Sequence, residues 1–291
     1  DSSVNYGSLS IPCAPHGCVS EYVMTISRNA RLLLASLLGV GLAFIYVPLS
    51  VVIINSFNAS KTFSWPPSQF TTMWWSKAIE NTGVREALKW SVLAGLSATA
   101  IALILGTCLA FAVSRYQFFG REVISLLVVL PISLPGVVTG IALNNAFTKQ
   151  LGMSTGLLTV VIGHATFCIV IVYNNAIARL RRMGTSLQEA SMDLGANGIT
   201  TFRLITLPNL ASALFAGGLL AFGLSFDEIV VTTFTAGPGI QTLPIWIYNN
   251  LFRPNQAPIV NVVAATLVVL SIVPIYLSQR LSQDTTTGGR F

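Results

Sequence analysis

Residues 90–113 read WSVLAGLSATAIALILGTCLAFAV, from Trp90 to Val113, with no charged side chain along the run. A helix needs about 20 mostly apolar residues to cross the hydrocarbon core of a bilayer, and this run is long enough. Its apolar residues do not alternate with polar ones, as the wall of a membrane barrel would require. Five further runs have the same character, so the spans are read as approximately 32–56, 90–113, 123–147, 156–178, 209–234 and 259–279. In lipid every backbone polar group must be satisfied internally, which leaves helices as the solution for such runs. The expected fold class is all-α: a polytopic membrane protein with six transmembrane helices.

Composition supports this reading. The chain is 53% hydrophobic and 9% charged, whereas soluble domains carry about 25% charged residues. The formal charge of +6 is scattered over connecting segments and forms no dense basic stripe, so nucleic acid is not an expected partner and the lipid bilayer is. Residues 1–23 have neither helical periodicity nor a basic region leading directly into an apolar one. They are read as a non-native or disordered extension ahead of Met24, with 24–282 as the membrane domain and 283–291 as a tail. Cys13, His16 and Cys18 lie in that extension without a fourth ligand nearby. Cys108 and Cys168 lie within apolar runs, where an inert thiol is expected. No metal, cofactor or disulfide framework is expected.

Arginines set the orientation, because positive charge accumulates on the cytoplasmic side. Arg28 and Arg31 precede the first span, Arg115 and Arg121 separate the second from the third, and Arg179, Arg181, Arg182 and Arg203 separate the fourth from the fifth. Arg280 and Arg290 follow the last. Both termini are therefore expected in the cytoplasm. Segments 57–88 and 235–258 then face outward, with Trp65, Trp74, Trp75, Trp246 and Tyr248 suited to the headgroup zone.

Three features interrupt the apolar runs. Pro131 and Pro135-Gly136 should kink or unwind span three; broken backbone at that depth meets a cavity, or is a plain packing kink. Gly136 and Gly140 are spaced to admit a closely packed helix. Asp227 and Glu228 fall within span five, where a carboxylate costs about 2.5–3.5 kcal/mol at the bilayer centre. Adjacent helical positions diverge, so one is expected to line a polar path while the other meets a helix end or a partner; a structural ion pair at a subunit interface is the other reading. His164 in span four is read as an interhelical hydrogen-bonding residue, not a proton relay.

Between spans four and five lies a segment too long for a simple turn. Ser186 and Glu189 are spaced as a capping box, opening a short helix over about 187–194, which Gly195 ends in the left-handed region. Asn197-Gly198 continues the turn, a second short helix covers about 200–206, and Pro208 opens span five. Local physics alone also allows an ordinary surface connection.

Glu189-Ala190-Ser191, three residues, Gly195, nine residues, then Ile205-x-Leu207-Pro208 resembles the EAA signature of ABC-importer permeases, with Ser191 replacing the second alanine. Phe118-Phe119-Gly120, Leu130-Pro131-Ile132-Ser133-Leu134-Pro135-Gly136, Gly163-His164-Ala165-Thr166-Phe167-Cys168, Ser225-Phe226-Asp227-Glu228 and Thr242-Leu243-Pro244 are similar to the spermidine/putrescine branch of that family. The resemblance covers about residues 30–280. It implies a type I importer permease in a bacterial inner membrane, in which Glu189, Ala190, Ser191, Gly195, Ile205, Leu207 and Pro208 form a coupling helix region (186–207) that docks on a cytoplasmic ATPase. The implied partners are a second permease in a heterodimer, an ATPase dimer and an extracytoplasmic binding protein docking on 57–88 and 235–258. The implied cargo is a polyamine drawn to Asp227 or Glu228.

The chain carries no G-x-x-x-x-G-K-[ST] phosphate loop, so no nucleotide site is recognisable in it. No nucleophile–base pair suggests bond chemistry, and an enzyme is not expected. Two alternatives stand beside the importer reading. One is a gradient-driven cation or amine carrier with Asp227 and Glu228 as ion ligands; the other is the same permease role for an opine or another amine.

Overall fold

The structure is a computed structural model that describes residues 27–61, 65–253 and 255–287; for 273–275 and 277–287 it describes the backbone only. The expectations about residues 1–23, Cys13, His16, Cys18, Met24 and the end of the tail lie outside the described residues. The chain divides into two units, Asp1–Pro48 and Leu49–Phe291. In the described part of the first, α1 (Arg28–Asn55) begins; its last turns belong to the second unit.

The second unit is helical, and its only described strand-like feature is an isolated bridge between Asn58 and Phe70. In order come α2 (Met73–Glu80), α3 (Thr82–Arg115), α4 (Arg121–Ser133), α5 (Gly136–Asn145, continued by a π-turn over Ala146–Gln150) and α6 (Leu157–Arg182). Then follow α7 (Ser186–Asp193), α8 (Gly198–Thr201), a π-turn over Phe202–Thr206, α9 (Leu207–Phe226), α10 (Val230–Thr235), α11 (Leu243–Asn250) and α12 (Ala257–Thr287).

Helices α3, α6 and α9 form the centre of this unit. Apolar lipid gives helices no hydrophobic reason to associate, so small residues that allow close backbone approach take over. The buried face of α3 is such a stripe: Ala87, Ser91, Ala94, Ala98, Ala102, Gly106 and Ala110 recur at helical spacing. At Gly106 a Cβ would sit 3.0 Å from the Ile169 carbonyl oxygen and from Val172 Cβ, so α3 and α6 meet there nearly backbone to backbone. Ala98 and Ala102 close over Phe167, Cys168, Val172, Ala221 and Val231 in mid-bundle, while Val113, Tyr173, Leu180 and Leu210 fill one end. The other end is a cluster of Trp74, Ala78, Leu243, Trp246, Ile259 and Val263. Trp74 and Trp246 are therefore core residues, each 5% exposed, and not the interfacial aromatics expected of them; Trp65 and Tyr248 are exposed.

Four described helical stretches are long and apolar enough to cross a membrane: Arg28–Asn55, Thr82–Arg115, Leu157–Arg182 and Gly198–Phe226. The expected third span is instead two helices, Arg121–Ser133 and Gly136–Gln150, set at 104° to each other; counted as one span it makes five. The break falls at Pro135. A proline drives the residue before it into extended backbone, and Leu134 has φ −83° and ψ 143°. Pro131 stays inside the last turn of α4, and Gly136 starts α5. The sixth expected span lies in α12, which runs from Ala257 to Thr287; its apolar stretch with described side chains is Ala257–Ile272. Span five also departs from the expected 209–234: the helix stops at Phe226 and restarts at Val230.

Candidate coupling element and acidic helix break

The segment after α6 turns at Gly184, forms α7, and reverses at Gly195, whose φ of +88° is the left-handed conformation that favours glycine. The Ala196 amide donates to the Ser191 carbonyl, closing the turn. The expected capping box is absent. Thr185 is the N-cap, with near-helical φ −93° and ψ −19° and no side-chain cap bond, and the Glu189 amide donates to its carbonyl. The helix thus begins one residue early, which makes Ser186 the first helical residue and removes its hydroxyl from the capping position.

Two bonds lash α7 to the base of the next helix. Gln188 Nε2 donates to Thr206 Oγ1 at 2.9 Å, both residues buried, and Ser191 Oγ lies 3.1 Å from Thr201 Oγ1. Of the EAA residues, Ser191 is therefore turned inward, while Glu189, Ala190 and Gly195 are exposed. Leu187, Met192, Leu194 and Ile199 are exposed as well, Leu194 by 90% and Ile199 by 80%. Gln188 and Ser191 thus turn inward while four apolar side chains stay exposed beside the exposed Glu189 and Asp193, an apolar patch with a polar rim of the kind found at interaction surfaces.

Ile205, Leu207 and Pro208 belong to a continuous helix. The second short helix expected at 200–206 does not stand apart: α8, the π-turn and α9 run unbroken from Gly198 to Phe226, 29 residues. Pro208 has no amide hydrogen, and its ring crowds the carbonyl four residues back. The widened turn just before it, in which the Leu207 amide reaches the Phe202 carbonyl, accommodates both effects.

The end of α3 packs on this element. The Phe111 and Phe202 rings meet edge to face at 5.2 Å. Arg115, one turn further along α3, has Nε and Nη2 buried without a hydrogen-bond partner. Burial pushes its guanidinium below the usual value, and the nearby Glu189 carboxylate acts against that push. Sequence reading singled out neither Gln188, Thr201 and Thr206 nor this use of Arg115. A polar residue at a helical position facing a hydroxyl leaves no signal until the helices are placed.

At its far end the same helix delivers Asp227 and Glu228. Neither lies inside a helix: Asp227 is the C-cap of α9, and Glu228 precedes the N-cap of α10. Asp227 is exposed. Glu228 Oε1 accepts the Val231 amide at 2.8 Å, the helix-end donor anticipated for one of the pair. A carboxylate suits that position because the first amides of a helix lack intrahelical partners.

The short helix α10 is held on two sides. Gly136 and Gly140 of α5 face Val230 and Phe234, and a Cβ on Gly140 would come within 2.6 Å of the Phe234 ring. Asn144 Nδ2 donates to the Phe234 carbonyl at 2.6 Å, and Thr159 Oγ1 to the Thr235 carbonyl at 2.7 Å. His164 is fully buried, with Nδ1 2.7 Å from Ser225 Oγ and Nε2 2.8 Å from Thr232 Oγ1. The histidine is an interhelical hydrogen-bonding residue, as expected. No group of His, Cys, Asp and Glu among the described residues is arranged to hold a metal ion.

Comparison with known proteins bears on the whole of this geometry. Residues 98–287 match the family described as binding-protein-dependent transport system inner membrane component. Over 247 residues the chain is 34% identical to the spermidine/putrescine transport system permease protein PotC of Escherichia coli K12, covering 84% of this chain and 92% of that one. It is 32% identical to the putrescine transport system permease protein PotI of the same organism, covering 84% and 90%. A crystal structure of a bacterial ABC transporter involved in import of the polysaccharide alginate shares the fold: TM-score 0.66 over 89% of this chain and 98% of that one, at 17% identity.

Proposed function

The chain belongs to the binding-protein-dependent transport system inner membrane components, and on that premise we propose that it is the multi-pass permease subunit of an ATP-driven importer of polyamines. The observation that carries the mechanism is the single helix from Gly198 to Phe226. At about 1.5 Å per residue it is roughly 43 Å long. Its base is lashed to the apolar-faced α7, and its tip carries the acidic break.

Closure of a cytoplasmic ATPase dimer pulls on α7 and the turn into α8 through Leu194, Ile199 and the exposed Glu189, Ala190 and Gly195. Ile205, Leu207 and Pro208 transmit the pull as the stem of the lever. Its far end moves Asp227 and Glu228, which attract the ammonium groups of the cargo and line part of the path. The bend at Pro135-Gly136 gives α5 and α10 a packing unit separate from α4. The chain supplies no nucleotide site and no bond chemistry.

A second, homologous permease completes the polar path, because one such bundle encloses too little of it. An extracytoplasmic binding protein delivers the amine to segments 57–88 and 235–258. Six spans with both termini in the cytoplasm fit the arginine distribution and place α7 on the ATPase side.

The test is reconstitution in liposomes with the second permease, the ATPase and the binding protein. ATP-dependent spermidine or putrescine uptake that vanishes when residues 186–207 are replaced by a flexible linker supports the reading. Uptake by the chain alone, without ATPase or ATP, rejects it in favour of a gradient-driven carrier. ATP-dependent uptake of another amine, with none of either polyamine, rejects the cargo while keeping the machine.

A further inference from the structure

The buried polar side chains around the acidic break fix one another's protons. Thr232 has a single hydroxyl hydrogen, and its Oγ1 donates it to the Glu228 carbonyl at 2.7 Å. The same oxygen lies 2.8 Å from His164 Nε2, so Nε2 must carry hydrogen and donate. In a neutral imidazole Nδ1 is then the acceptor, and Ser225 donates to it across 2.7 Å. An imidazolium would be a buried charge with no acidic partner bonded to it, which is costly. The bonds therefore run one way: Ser225 to His164, His164 to Thr232, Thr232 to the backbone of Glu228.

The placement of these groups is the informative part. Ser225 is in the last turn of α9 and Thr232 in the first turn of α10, with Asp227, Glu228 and Ile229 between them. His164 belongs to neither helix; it comes from α6 and binds one residue on each side of the break. The neighbouring Phe167 ring lies 5.5 Å away and backs the imidazole. Gly163 keeps α10 close, since a Cβ there would stand 3.2 Å from Val231 Cγ1. Glu228 is consequently held twice, at its carbonyl through Thr232 and at its carboxylate by the Val231 amide.

We propose that His164 is a positioning residue for transport: it pins the angle between α9 and α10 and so sets how Asp227 and Glu228 are presented to a cationic amine. This rests on the reading that the acidic pair lines the path. Lever motion along α9 arrives at the break, and the His164 bonds decide whether α10 follows it or stays with α5 and α6. The two ring nitrogens have opposite roles, one donating and one accepting, which a glutamine amide reproduces and an alanine does not.

The experiment compares His164→Ala and His164→Gln in the fully assembled importer, reading amine imported per ATP hydrolysed. A merely structural loss lowers both rates together and leaves that ratio unchanged. The expected result is a ratio reduced about three- to tenfold in His164→Ala, the scale of one or two lost buried hydrogen bonds, and largely restored in His164→Gln. If His164→Ala does not assemble, Ser225→Ala, which removes the bond to His164 Nδ1, and Thr232→Val, which removes the bond to His164 Nε2 together with that to the Glu228 carbonyl, are read in its place and should both lower the ratio. An unchanged ratio in the variants that assemble, or a glutamine as poor as alanine, overturns the proposal.

The same variants are then made with Asp227→Asn and Glu228→Gln. Disappearance of the His164 effect in that background supports positioning of the acids, and a full-sized effect there overturns it. Unchanged polyamine uptake with the two acids neutralised, His164 being intact, instead removes the path reading itself.

Discussion

Replacing Thr206 by valine deletes one atom's function at almost constant volume. Thr206 is 1% exposed and Gln188 is 8% exposed, and the bond between them is 2.9 Å long. Valine leaves the Gln188 amide facing an apolar wall with no acceptor. A buried donor stripped of its partner costs about 1–3 kcal/mol, or roughly five- to 150-fold in the equilibrium between α7 docked on the helix base and α7 lifted from it. Ser191 and Thr201 still bind one another, so α7 is loosened and not released. The assay is ATP hydrolysis and amine uptake measured on the same proteoliposomes. Hydrolysis should persist while uptake per ATP falls several-fold; Thr206→Ser, which keeps the hydroxyl, should behave as the parent. Adding Thr201→Val removes the second lash, and because the two bonds share α7 their effects should exceed the sum of the single ones. A Thr206→Val importer with unaltered uptake per ATP would show that α7 does not transmit force through this bond, and the lever reasoning would fall with it.

Three further outcomes follow from other contacts. Leu194→Asp combined with Ile199→Asp places charges on the two most exposed apolar positions of segment 186–207, proposed above to dock on the ATPase, and should weaken co-purification of the ATPase at least tenfold, with permease levels in the membrane unchanged; full recovery of the ATPase would refute the docking face. Glu228→Gln retains an oxygen for the Val231 amide, so a loss of uptake reports charge, whereas Glu228→Ala also removes the helix-end acceptor and should lower thermal stability by about 1 kcal/mol more. Gly237→Ala puts a Cβ 2.1 Å from the Thr155 carbonyl oxygen, a backbone atom that cannot swing away, and should destabilise the protein by about 1–3 kcal/mol, seen as a lower melting temperature in detergent.

Legibility in the sequence tracked the range of the interaction. The runs that form α1, α3 and α6 and the Gly195 turn depend on neighbours in the chain, and they were found where the sequence put them. Pro135 was read as a point of breakage because a proline acts on the residue before it, but the 104° set by the two halves depends on packing that no local pattern records. Asp227 and Glu228 were placed inside a helix because Ile229-Val230-Val231 continues the apolar run. Hydrophobicity does not report that an acidic side chain can begin a new helix by accepting its amides. Trp74 and Trp246 misled for a similar reason, since an aromatic in a connecting segment looks interfacial until a second segment closes over it. The lashing residues Gln188 and Thr206 are eighteen positions apart and carry no joint signal. The arginine count bears only on the side of the membrane, while the burial of Arg115 near Glu189 depends on where α3 ends.

The widened turn at Phe202–Thr206 adds one residue to the helical winding between the docking element and the acids. Each residue of an α-helix advances about 100° around the axis. A residue deleted from the regular helix between Leu207 and Phe226 would leave the rod nearly the same length but swing everything below it by more than a quarter revolution, carrying Leu194 and Ile199 off the side they now occupy relative to Asp227 and Glu228. A deletion within the widened turn would only return it to an α-turn. The residue count of the regular helix from Leu207 to Phe226 is therefore a dial setting: it stores an azimuth, and a one-residue change in it would mis-aim the two ends while leaving every helix intact.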